Sequence, residues 1–133
     1  MTDTVENLTI SCIDFRFRAR VADWIKTELD DQSDLVTLAG ASKAILDEDT
    51  RESAIKQVEI ARGLHQISAV HLLDHTDCAA YGGSAAFVGD SSAEVQMHHE
   101  KLQEAASVLR QRVPEVQVKL YLLELDGTLH RLG

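Results

Sequence analysis

No stretch of the sequence approaches the roughly 20 consecutive apolar residues needed to cross a bilayer, although 44% of its 133 residues are hydrophobic. That content suits a globular chain rather than a disordered one. Positive charge is scarce: 13 Lys and Arg stand against 22 Asp and Glu, for a net charge of −9. A protein that grips phosphates needs a basic face, so nucleic acid is not an expected partner. An anionic membrane surface is disfavoured for the same reason. Residues 1–7 are polar and acidic, without the basic start and apolar run of a secretory signal. A cytoplasmic protein is therefore expected. Cysteine is scarce too, with only Cys12 and Cys78. In a reducing compartment two thiols serve as metal ligands, catalytic groups or core residues more often than as a disulfide. There is no repeat, low-complexity stretch or linker, and the length predicts a single domain over residues 1–133.

What is there is an alternation of short β-rich runs and longer helical ones. Residues 8–13 read as a strand, and residues 17–29 as a helix with Val21, Trp24, Ile25 and Leu29 on one face. Residues 34–38 form a second strand. An acidic helix follows, with Asp49 and Glu52 spaced as a capping box and Gly63 as its stop. Residues 66–73 are a third strand, Ser91 or Ser92 caps a long helix, and Pro114 breaks it. Residues 116–125 are the last full strand, and Asp126-Gly127 turns into a short segment over 128–132. The pattern predicts an α/β fold: a four-stranded, mostly parallel sheet flanked by helices, plus a short C-terminal strand or turn. In such sheets ligands bind beyond the carboxyl ends of the strands, where strand order reverses.

Two polar clusters sit at such ends. Cys12-Ile13-Asp14-Phe15-Arg16 leaves the first strand and His75-Thr76-Asp77-Cys78 leaves the third. Each is weak alone: a cysteine at a strand end is usually a small core residue, and H-x-x-C is a loose motif. If the two strands are neighbours, however, two thiolates and one imidazole converge, a donor set that suits zinc. Three protein ligands leave a fourth position for a water that ionises near neutral pH. Asp14 reaches the same space, and Arg16 can hold it by a bidentate pair. Asp14 then either orients the zinc-bound hydroxide or, released by Arg16, becomes the fourth ligand.

Both motifs resemble those of the beta-class carbonic anhydrases, C-x-D-x-R and H-x-x-C. The resemblance runs nearly end to end, with Ala39-Gly40 and Asp126-Gly127 falling where the family has an Ala-Gly stretch and a closing turn. It implies Zn2+ on Cys12, His75 and Cys78, an Asp14–Arg16 dyad, reversible hydration of CO2 to bicarbonate, and a homodimer or higher homo-oligomer. The chain departs from the family at Phe15 (usually Ser), Ala79 (usually Gly) and Thr37-Leu38 (usually Arg-Asn), and with a first strand starting near Leu8 the family's N-terminal helical arm is not expected. Those departures alter the substrate pocket and leave the ligand set and dyad whole. A small apolar pocket near Phe15 and Leu38 is expected.

Three other readings compete. One is a zinc protein without catalysis, marked by Asp14 on the metal at all pH values. Another is a hydrolase for a different small molecule, such as carbon disulfide, marked by a larger pocket. The last is a redox pair of Cys12 and Cys78, marked by a disulfide on mild oxidation and no metal. Of His98 and His99, at most one can face a given site, since adjacent helical positions point about 100° apart. Either a proton relay or a plain surface or core position fits. Tyr81 lines the pocket or a dimer contact, Trp24 is core, and His65 and His71 are structural or exposed. No role is assigned to His130.

Overall fold

The chain rises into β1 (Asn7–Ser11), whose Leu8 and Ile10 point to one face and Thr9 and Ser11 to the other. The structure, a computed structural model, describes residues 3–133. The first two residues of the polar N-terminal segment lie outside them.

After β1 come α1 (Arg18–Glu28), β2 (Ser33–Thr37), α2 (Ser42–Leu46) and α3 (Glu48–His65). Then follow β3 (Ala69–His75), α4 (Ser91–Arg112), β4 (Gln117–Leu123) and β5 (Leu129–Arg131). Among the described residues one sheet forms, in the order β2-β1-β3-β4-β5, with β5 alone antiparallel. The predicted four-stranded parallel core with a short closing strand is present. β1 and β3 are neighbours, so the order reverses between them.

Side chains alternate between two apolar layers. Val70 and Leu72 of β3 pack with Leu8, Ile10, Ile55, Val58, Leu102 and Leu109 beneath α3 and α4. Leu73 packs on the other face with Phe17, Val21, Ile25, Tyr121 and Leu123 under α1. All seven residues of β3 are buried, as expected of a central parallel strand covered on both faces. Trp24 is half-buried against His71 and Tyr121, packing edge-on to both. His71 is buried and accepts from the Tyr121 hydroxyl through Nδ1 at 3.0 Å while donating through Nε2 to Asn7 at 2.8 Å. Burial holds it neutral, with its pKa pushed down to about 4.

Several boundaries differ from the sequence expectation. The helix α2 has no counterpart there, because one turn of Ser-Lys-Ala-Ile-Leu is too short for a period to register. The acidic helix begins after Asp47 rather than Asp49, without a side-chain cap. Glu52 does not close a capping box; it pairs with Arg112 of α4 at 2.6 Å. Gly63 does not stop α3, which runs on to His65 and ends at Gln66 in a left-handed conformation (φ 60°). The cap of α4 is Asp90, which accepts from the Ala93 N–H at 3.0 Å, and not Ser91 or Ser92. β1 stops at Ser11, and β3 starts later and ends later than expected, so His75 is its last residue. No helix of the described residues is long and apolar enough to cross a membrane.

Candidate metal centre

β1 and β3 run in register side by side, so the loops leaving them face each other. Cys12 stands one residue beyond β1, His75 ends β3, and Cys78 follows in the next loop. Their sulfurs and an imidazole nitrogen lie within 4.8 Å of one another, a group that could hold a metal ion.

His75 is set from two sides. Its Nδ1 donates to the Thr76 carbonyl at 2.6 Å, and the Phe17 ring stacks on it at 4.2 Å between centroids. With the proton on Nδ1, the Nε2 lone pair is directed away from that carbonyl. Nε2 is buried and has no hydrogen-bond partner in the protein. Buried polar atoms are rarely left so, and an ion among Cys12, His75 and Cys78 would satisfy it. The donor set therefore fits a metal.

The two thiols differ in acidity. The Cys78 hydrogen bond, aided by His75 and the Gly40 and Asp14 N–H groups, pulls Cys12 down to about 3 against the effect of burial. Cys78 is pushed up by the same contact and by burial. The Gly40 N–H reaches Cys12 Sγ at 3.4 Å. Gly40 is required for this approach: its φ is +81°, and a Cβ would meet the Lys43 Cβ at 2.8 Å.

Asp14 and Arg16 form the expected fork. Arg16 Nε donates to both Asp14 carboxylate oxygens at 3.1 Å and Nη2 donates to Oδ2 at 2.7 Å. These bonds hold the Asp14 pKa down at about 2. Asp14 Oδ2 lies 3.7 Å from His75 Nε2, yet Asp14 is not one of the converging ligand group. The sequence reading missed that Arg16 also binds Asp77, through Nη1 to Oδ2 at 3.0 Å and Nη2 to the carbonyl at 2.9 Å. Asp77 had counted only as spacing between His75 and Cys78.

A cleft of about 500 Å³ opens over these groups, walled by Ile13, Phe15, Ala39 and Ala79. Leu38 is not part of it; it packs against the core instead. Tyr81 does not line the cleft either. It donates to Ser42 Oγ at 2.7 Å, and Ser42 in turn donates to the buried carboxylate of Asp74 through its hydroxyl at 2.7 Å and its N–H at 3.0 Å. His98 Nδ1 binds the same carboxylate at 2.8 Å. Of the two adjacent histidines it is thus His98 that faces inward, onto Asp74 and not onto the cleft, while His99 bonds Gln103. Asp74 and Ser42 went unnoticed in the sequence. A carboxylate inside the apolar run Leu72-Leu73-Asp74 of a strand buried on both faces was the available signal.

An uncharacterized protein of Rickettsia bellii is 31% identical over 131 residues, covering 94% of this chain and 80% of that protein. An uncharacterized protein of Rickettsia conorii is 29% identical over 134 residues, covering 94% and 70%. A family model described as "Putative carbonic anhydrase" matches residues 2–131, and that is the family to which this chain belongs.

Proposed function

We propose that this is a zinc enzyme of the beta-class carbonic anhydrase type, which hydrates carbon dioxide reversibly to bicarbonate. Cys12, His75 and Cys78 are its ligands, and Asp14 with Arg16 is its orienting pair. One observation carries the reading: two sulfurs and an imidazole nitrogen within 4.8 Å of each other, beside a carboxylate forked by an arginine. Thiolate and imidazole are the donors that zinc favours, and three of them are the number found in catalytic sites.

Zinc, when bound, lowers the pKa of a water toward neutrality and so supplies the nucleophile. The chain does the rest. An ionised carboxylate only accepts hydrogen bonds, so Asp14 takes one from the attacking oxygen and turns its lone pair toward the cleft. Arg16 keeps Asp14 ionised and in one orientation. With its pKa at about 2, Asp14 is charged throughout the neutral range. A rise of hydration with pH therefore reports another group. Carbon dioxide carries no charge, and the walls of Ile13, Phe15, Ala39 and Ala79 offer it apolar contact.

The test is stopped-flow CO2 hydration on protein whose zinc content is assayed in the same sample. Activity should scale with zinc. Asp14→Ala should retain zinc and lose hydration by about 100-fold or more, the size of a positioned proton-accepting group. Loss of zinc in that variant would instead make Asp14 a ligand and end the orienting role.

We further propose a homodimer or higher homo-oligomer in the cytoplasm. Ile13 and Phe15, 63% and 76% exposed at the mouth of the cleft, support a covering partner copy. Two free thiols suit a reducing compartment. Sedimentation at micromolar concentration should show an assembly; monomer alone would count against it.

A further inference from the structure

Asp14 and Arg16 stand two residues apart on the same loop. A guanidinium bonded only to a carboxylate on its own loop would move with it and restrain nothing. The restraint needs an anchor outside that loop, and the structure holds one. Asp77, in the loop between His75 and Cys78, binds Arg16 through its Oδ2 at 3.0 Å and its carbonyl at 2.9 Å.

Asp77 is itself fixed from behind. Its Oδ1 accepts from the Ser84 N–H at 2.8 Å, and its own N–H donates to Glu94 Oε2 at 2.8 Å. Glu94, on α4, is 4% exposed and accepts the Ser84 hydroxyl as well. The backbone of Asp77 sits at φ +57°, a left-handed conformation that Asp and Asn tolerate better than most residues. Gly83 makes room for the carboxylate, since a Cβ there would lie 3.0 Å from Asp77 Oδ1. The chain of contacts runs Glu94, Asp77, Arg16, Asp14, from the buried face of a long helix to the edge of the ligand cluster. It ends on a carboxylate whose Oδ2 is only 3.7 Å from His75 Nε2, close enough to become a ligand if released.

We infer that Asp77 is a positioning residue, which holds Arg16 from the second ligand loop and so keeps Asp14 beside the metal as a hydrogen-bond acceptor and off it as a ligand. The inference rests on the metal reading above. Its weight is geometric: exposed ion pairs add little stability, whereas a fixed guanidinium decides where the Asp14 oxygens lie.

The test uses the full chain loaded with cobalt(II), with azide as a probe of the coordination position that Asp14 would otherwise take. Asp77→Asn suits the left-handed backbone. An amide has one acceptor oxygen, however, where the carboxylate spends one on Ser84 and one on Arg16, so one bond must go. Azide, followed by the cobalt absorption bands, should bind Asp77→Asn about tenfold or more weakly than wild type, the range for losing an outer partner of a metal site. In an Asp14→Ala background the same substitution should have no effect on azide affinity, because the competing carboxylate is gone. Equal azide affinity in wild type and Asp77→Asn overturns the inference and leaves the metal site standing. A tenfold loss that persists without Asp14 also overturns it, since Asp77 would then only shape the loop. Failure of the wild type to bind cobalt at all overturns the metal reading, and the inference with it.

Discussion

Cys78→Ser is expected to purify without stoichiometric zinc and without measurable CO2 hydration, while its far-ultraviolet dichroism stays that of the wild type. Serine nearly matches cysteine in volume, and the Tyr81 and Gly83 N–H groups that hold this turn donate to the Cys78 carbonyl, which the substitution leaves in place. The fold has no reason to change. The metal does: a neutral, hard hydroxyl replaces a soft thiolate in a three-donor set, leaving one sulfur and one imidazole. The loss of affinity should be well beyond the about 10–100-fold that follows removal of a hydrogen-bonded outer partner. Metal analysis of wild type and variant prepared side by side decides the matter. A variant that keeps one zinc per chain would remove Cys78 from the ligand set. Wild type that carries no zinc and forms a Cys12–Cys78 disulfide on mild oxidation would favour the redox reading.

Much of this centre was legible from the residues alone, and the reasons for the gaps are physical. Cys12, Asp14, Arg16, His75 and Cys78 were named from their types, their spacing and their place at the ends of β-rich runs. The β1–β3 adjacency that unites them is only a condition in the sequence, and the sheet order supplies it. Asp77 escaped because its partner Arg16 is 61 residues away, and no local period encodes a bridge between two loops. Ser42 escaped because it begins a single helical turn after Ala41, whose φ of +47° no propensity scale predicts for alanine. The capping box at Asp49 and Glu52 matched a local motif, yet Glu52 found Arg112 across the helix pair, a tertiary contact that overrode it. The left-handed end of α3 fell on Gln66 rather than on Gly63, because α3 keeps its helical hydrogen bonds through His65.

Asp74→Ala is expected to cost about 2–6 kcal/mol, because it leaves buried donors without their shared acceptor. Asp74 is 2% exposed, and three donors converge on it: the Ser42 N–H, the Ser42 hydroxyl and His98 Nδ1. Ser42 and His98 are themselves 0% and 1% exposed, so water cannot replace the lost acceptor. Each orphaned donor costs on the order of 1–3 kcal/mol, and only the Ser42 hydroxyl has a second partner to turn to, in Tyr81. Against a total stability of about 5–15 kcal/mol for a domain, the loss is a large fraction. Thermal melting should shift down by on the order of 10 °C. Asp74→Asn should lie between the two, because its amide oxygen keeps one acceptor while its NH2 faces a donor. A melting point unchanged in Asp74→Ala would mean that the cluster contributes nothing to the fold. The effect should also reach the metal centre. Asp74 anchors Ser42, Ser42 fixes the strained turn at Gly40 and Ala41, and the Gly40 N–H rests on Cys12 Sγ at 3.4 Å. Asp74→Ala should therefore weaken zinc binding as well as lower the melting point, within the about 10–100-fold typical of an outer partner. Loss of both in one variant would tie the stability of the sheet to the geometry of the Cys12 sulfur at its edge, through the buried carboxylate of β3.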